Sequence, residues 1–78
     1  MEKSKVFFTD FRTPAYGDGL TIKLQKLLKK AGIEQLDMDG KFVAIKMHFG
    51  ELGNLSFLRP NYARAVADLV KSLGGKPF

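Results

Sequence analysis

Residues 46 to 54 read KMHFGELGN, a lysine, a histidine, a glutamate and an asparagine within nine positions, with Gly50 and Gly53 among them. An imidazole titrates near neutrality, so His48 is a candidate general base or metal ligand. Glu51 is near enough in sequence to orient that ring or share its proton, and the two form the candidate catalytic pair. The other reading of His48 is a histidine at a strand end, bonded to a neighbour. Lys46 alternates with His48 along an extended chain, which sends both side chains to one face. There Lys46 meets an anionic substrate group or pairs with Asp10.

Gly50 and Gly53 let the backbone take positive φ and come close to a ligand, and the N–H groups between them offer an anion nest. The same spacing also describes a plain turn, since it lacks the lysine and hydroxyl residue of a P-loop and the third glycine of a dinucleotide fingerprint. Arg59 precedes Pro60; its guanidinium either clamps a carboxylate or phosphate or fixes the loop by bonding backbone carbonyls. Lys46, Gly50, Gly53, Asn54 and Arg59 are thus the candidate ligand-binding residues, for a small anionic ligand. One histidine and one glutamate cannot complete a metal site without further ligands, so no metal is expected on this chain.

These residues need elements to position them. KVFFTDF, residues 5 to 11, is short, apolar and rich in aromatic residues, as a strand buried on both faces would be. Leu20, Leu24, Leu27, Leu28 and Ala31 recur at helical spacing, and Gly32 follows as a C-terminal cap. Asp18 is placed to cap that helix at its start. Asp39-Gly40 marks a turn before FVAIKMHF, residues 42 to 49, a second strand of near-continuous apolar character. Pro60 opens a second helix whose stripe is Tyr62, Ala63, Val66, Leu69, Val70 and Leu73, closed by Gly74-Gly75. Arg64, Asp68 and Lys71 fall on its outer face.

With KPF starting a further strand, the order is a parallel β-α-β-α(-β) α/β arrangement, Rossmann-like, in two or three layers. Ligands in such sheets bind at the carboxyl ends of the strands, and both long loops, residues 12 to 19 and 50 to 59, belong to that edge. Two parallel strands alone make a poor sheet. Residues 1–78 therefore read as a single domain, expected to be the N-terminal part of a longer protein or to complete its sheet with a second copy. Phe49, Leu52, Leu55, Phe57 and Leu58 give the second loop apolar area suited to a pocket wall or an interface.

Composition narrows the classes. A chain of 78 residues buries only ~60% of the surface its unfolded form exposes, so it has room for one core. It is 45% hydrophobic and 27% charged, an ordinary globular profile. With no cysteine, neither a disulfide framework nor a thiolate metal site can staple it. No apolar stretch approaches the ~20 residues of a membrane helix, and MEKSKVFFTD lacks a signal core, which reads as soluble and cytoplasmic. Net charge is +5, but Lys23, Lys26, Lys29 and Lys30 share one side of the first helix, as a solvated face does, and nucleic acid is not the expected partner.

VAIKMHFGELGNLSFLRPNYARAVADLVKSLGGKPF resembles the N-terminal segment of the uncharacterised iron-sulfur centre proteins, Domain of Unknown Function 362. In that family a strand ending K-x-H-F-G-E-x-G-N runs through an R-P pair into a helix ending G-G-K-P-F, and KVFFTDFR is similar to the family's opening strand. Lys46, His48, Gly50, Glu51, Gly53, Asn54, Arg59 and Pro60 match the motif position by position. The resemblance implies a parallel α/β domain continued by a ferredoxin-like segment whose cysteines carry 4Fe-4S clusters. None of those cysteines is here, so the clusters are expected only in the full-length parent. The expected role is thus an N-terminal α/β ligand-binding segment of a 4Fe-4S redox protein, with no activity alone. The alternative is an assembly module that completes its sheet by self-association.

Overall fold

Leucines three and four apart, interleaved with lysines, wind residues Leu20–Ala31 into a helix, α1, in the computed structural model, which describes residues 3–78. Met1 and Glu2, the start of the stretch read for a signal core, lie outside the described residues. Leu20, Leu24, Leu27 and Leu28 are half-buried as the spacing requires, while Ala31 is exposed. Gly32 ends α1 in the left-handed region (φ 103°), where its N–H reaches the carbonyls of Leu28 and Lys29. A single 3-10 turn, Ile33–Gln35, follows. Asp18 does not cap α1. Gly19 holds the cap position, and the Asp18 carboxylate instead takes the Lys26 ammonium.

The sheet is a parallel pair: β1, Phe42–Val43, beside β2, Lys76–Pro77, with Phe42 opposite Lys76 and Val43 opposite Pro77. Backbone hydrogen bonds carry the pairing further, from Lys76 N–H to Lys41 O (2.8 Å), Phe78 N–H to Val43 O (3.0 Å) and Ile45 N–H to Phe78 O (2.9 Å). The second strand was expected to run from 42 to 49. Its ladder runs only to Ile45, whose N–H donates to the Phe78 carbonyl. Burial from 42 to 48 alternates: Val43, Ile45 and Met47 are half-buried, and Phe42, Ala44, Lys46 and His48 are exposed. The segment is covered on one face, not both, and the fold has two layers.

The β1–β2 crossover is α2, Pro60–Ser72, which Pro60 opens at its first position. Its expected apolar stripe is half-buried or buried throughout. Ala65, Leu69 and Val70, with Met38, make up the buried core among the described residues. Ala65 was not on the expected stripe; it is buried by α1, whose Gln25 donates from Nε2 to the Ala65 carbonyl at 2.8 Å. On the outer face Arg64 Nε lies 3.7 Å from Asp68 Oδ2, the i,i+4 pair the spacing predicted.

The expected first strand is not formed. Residues 5 to 11 pair with no strand among the described residues, and Val6, Phe8 and Phe11 are 88%, 83% and 84% exposed. Lys23 holds the end of the segment elsewhere. Its ammonium donates to the Asp10 carbonyl, the Asp10 carboxylate and the Arg12 carbonyl, each at 2.8 Å, and so ties the end of the segment to α1. Of the carbonyls in residues 5 to 11, that of Asp10 is taken by this cation. Lys23 is accordingly a tether with its side chain only 19% exposed, whereas the expectation placed it on a solvated lysine face.

Little of this surface is closed. The accessible area is 6893 Å², against about 4700 Å² for a compact protein of 8.7 kDa. The radius of gyration, 14.5 Å, likewise exceeds the roughly 11.5 Å of a compact 78-residue domain.

Candidate functional site

The candidate residues occupy the run beyond β1 and the loop that leads to α2. Lys46 and His48 lie on the exposed side of that run, on one face as period-two alternation requires. Glu51 begins a tight turn in which the Asn54 N–H donates to the Glu51 carbonyl at 2.9 Å. Gly53, third in that turn, takes φ 84°, which glycine adopts without a side-chain penalty. Asn54 then accepts a 2.9 Å hydrogen bond at Oδ1 from the Ser56 N–H, folding the next residues back over the turn.

Gly50 has its own requirement. Its φ is 98°, and the Phe57 ring lies so close that a Cβ at Gly50 would stand 2.9 Å from Phe57 Cδ1. A glycine here lets the loop close on its own aromatic residue. The Gly-x-x-Gly spacing holds a turn and an aromatic contact.

Arg59 is exposed and extended (φ −71°, ψ 144°) immediately before α2, with no side-chain cap on the helix. Among the described residues, Lys46, His48, Glu51 and Arg59 make no side-chain hydrogen bond or ion pair with one another. The structure gathers them on one loop system without joining them. The alternative pairing of Lys46 with Asp10 is not made: Lys23 takes the Asp10 carboxylate at 2.8 Å, and Arg12 Nε stands 3.6 Å from its other oxygen. The Lys23 hydrogen bond, helped by the Arg12 N–H, holds the Asp10 carboxyl below its ordinary range.

A cavity of about 380 Å³ lies beside these residues, walled by Phe11, Leu24, Ile45, Leu58, Tyr62 and Val66, with Lys46 at its border. It is apolar and opens between α1, the β1 run and α2. Sequence reasoning missed both this cavity and the Lys23 tether. The tether had a signal: Lys23 lies between Leu20, Leu24 and Leu27 in helical register, on the inner stripe where a lysine needs acceptors.

The donor set does not fit an iron-sulfur cluster, because the chain has no thiolate to give. Among the described residues no three His, Asp or Glu side chains cluster closely enough to hold a metal ion, and no helix is long and apolar enough to cross a membrane. No family model, no curated protein and no solved structure matches the chain.

Proposed function

We propose that the chain is the N-terminal α/β segment of a larger cytoplasmic redox protein whose 4Fe-4S clusters sit outside these residues. In that protein Lys46, His48, Glu51 and Arg59 line a site for a small anionic ligand, with Gly50, Gly53 and Asn54 shaping its loop. The segment has no catalysis of its own. The observation that carries this reading is the open surface: about 2200 Å² more than a compact chain of this mass exposes. Much of it is apolar, with Phe49, Leu52 and Leu55 of the candidate loop 76%, 105% and 91% exposed. Polar candidates and apolar neighbours alternate along one loop, so protein that covers the second also encloses the first. The K-x-H-F-G-E-x-G-N resemblance is what supports that class of protein here.

On this reading the sheet is also wider. The edge of β1 away from β2 presents the backbone groups of Phe42, Ala44 and Lys46, unpaired among the described residues, and residues 5 to 11 add there to give a Rossmann-like order. The test is metal and sulfide analysis of the natural gene product carrying these residues, together with its His48→Ala and Glu51→Ala variants. Iron and acid-labile sulfide in equal amounts, with ligand binding or turnover lost in the variants, is the expected result. A gene product free of iron refutes the redox reading; variants with unchanged binding and turnover refute the site.

The same open strand edge favours a second reading, an assembly module that completes its sheet against another copy. Sedimentation of the isolated chain then shows mass rising with concentration. A monomer at every concentration rejects it.

A further inference from the structure

A parallel sheet is stable only when both of its faces are covered, and the elements that cover it are helices. In this chain α2, with α1 packed against it, serves one face, where Ile45, Met47 and Pro77 turn toward Ala63 and Ala67 of α2. The opposite face carries Phe42, Ala44, Lys46 and His48 from the first strand run and Lys76 and Phe78 from the second. Phe42 and Phe78 are 76% and 74% exposed. Their rings meet edge to face at 6.4 Å, and Lys76 Nζ sits 5.3 Å from the Phe42 ring centre, so the aromatic pair is held in place by its own contacts. Ala44 is level with Phe78 in the parallel register and leaves a low point beside the rings.

We propose that this open face is the seat of an amphipathic acidic helix supplied by the protein that covers the chain, an inference that rests on the covered-segment reading above. Charge decides the occupant. The six positions of the face include two lysines and no carboxylate. A second copy packed face to face would bring the same cations to the same place, and like charges across an interface oppose it. A helix with an apolar stripe sets that stripe on Phe42, Ala44 and Phe78, and carboxylates at its margin meet Lys76, while Lys46 stays with the proposed ligand site. The low point at Ala44 is where its backbone comes closest.

The test places a photo-crosslinking residue at the contact: Ala44→p-benzoylphenylalanine in the full natural gene product, with the crosslinked segment identified by peptide mass. The expected product joins position 44 to a helical segment with acidic residues flanking an apolar stripe. Lys76→Glu lowers the yield about tenfold, and Lys76→Arg leaves it intact. Should the position 44 variant fail to accumulate, the same probe at Phe42 reads the same face. A crosslink to a strand, to a loop, to a second copy of the chain or to nucleic acid overturns the proposal, and so does the absence of any crosslink. Iron and sulfide measured on the same preparation report separately on the redox reading, so the two can fail independently.

Discussion

Gly75 sits at the tightest convergence in the core, and its replacement by alanine tests whether that core is packed as described. The residue is buried where α2 returns into β2. A Cβ there would stand 2.7 Å from Val70 Cγ1, 3.1 Å from Val43 Cγ2 and 3.3 Å from the Met38 carbonyl oxygen. Its backbone does not require glycine, since its φ is not positive, so the cost of Gly75→Ala is steric. Val70 cannot yield cheaply: it is 1% exposed, and a β-branched side chain in a helix has one preferred rotamer. Overpacking of this kind costs about 2 kcal/mol. Val70→Ala alone removes two buried methyl groups, ~0.8 kcal/mol each, and with the cavity left behind costs about 2 to 3 kcal/mol. If the two effects were independent the double variant would lose about 4 to 5 kcal/mol, a large part of the roughly 4 to 12 kcal/mol expected for a domain of this length. They are not independent, because the new methyl occupies the space that Cγ1 vacates. The double variant is therefore expected to match Val70→Ala alone, a coupling of about 2 kcal/mol. Urea unfolding followed by far-ultraviolet circular dichroism reads this directly: with a slope of ~1 kcal/mol per molar, Gly75→Ala moves the midpoint by about 2 M and Val70→Ala by about 2 to 3 M, and the double adds nothing to the Val70→Ala shift. Additive losses, or a neutral Gly75→Ala, would refute the packing argument.

Lys23→Met removes the three hydrogen bonds that hold Asp10 and Arg12, so backbone nitrogen-15 order parameters across residues 8 to 12 should fall while α1 keeps its helical signal; unchanged order parameters would show that the segment is held by something else. The Asp10 carboxyl is held below its ordinary value of 3.8, first by Lys23 and then by the Arg12 N–H, so its contribution is complete above that value and is lost as pH falls through the lower native one. A carboxyl-resonance titration should accordingly give an Asp10 midpoint below 3.8 in the native chain, returning toward it in Lys23→Met. Gly50→Ala combines a left-handed backbone (φ 98°) with a 2.9 Å approach to Phe57 and should cost about 1 to 3 kcal/mol; protection of the Asn54 amide is the local readout, and its survival would refute the account of the loop.

The elements that proved legible in the sequence are those whose causes are local. The spacing from Leu20 to Leu28 gives α1, the stripe from Tyr62 to Leu73 gives α2, and Gly32 and Pro60 mark boundaries through backbone geometry that those residue types favour. The β-α-β unit around α2 follows from the order of its parts. KVFFTDF shows where this logic stops. Its composition suits a strand, but a strand exists only through a partner, and which backbone groups meet is decided by tertiary contacts such as the Lys23 tether. The candidate site divides along the same line. That Lys46 and His48 share a face follows from alternation along an extended chain. Whether Glu51 meets His48 depends on how the turn at Gly53 aims the loop, which spacing does not specify.

The unjoined polar residues have a physical cause. His48, Glu51 and Arg59 are exposed, and in water such groups gain little by pairing, because a high dielectric weakens each attraction and hydration serves each group separately. Covering Phe49, Leu52 and Leu55 changes that balance. Protein laid over those side chains strips water from the polar residues between them, and an unpaired buried polar group then costs more than the pairing did in solvent. The polar residues must at that point find partners in one another, in the covering protein or in a bound anion. Under the proposed function, burial of the loop and assembly of the site would therefore be a single event: a partner that left the loop open would leave the site unmade, and one that closed it would select for complementary charge at Lys46 and Arg59.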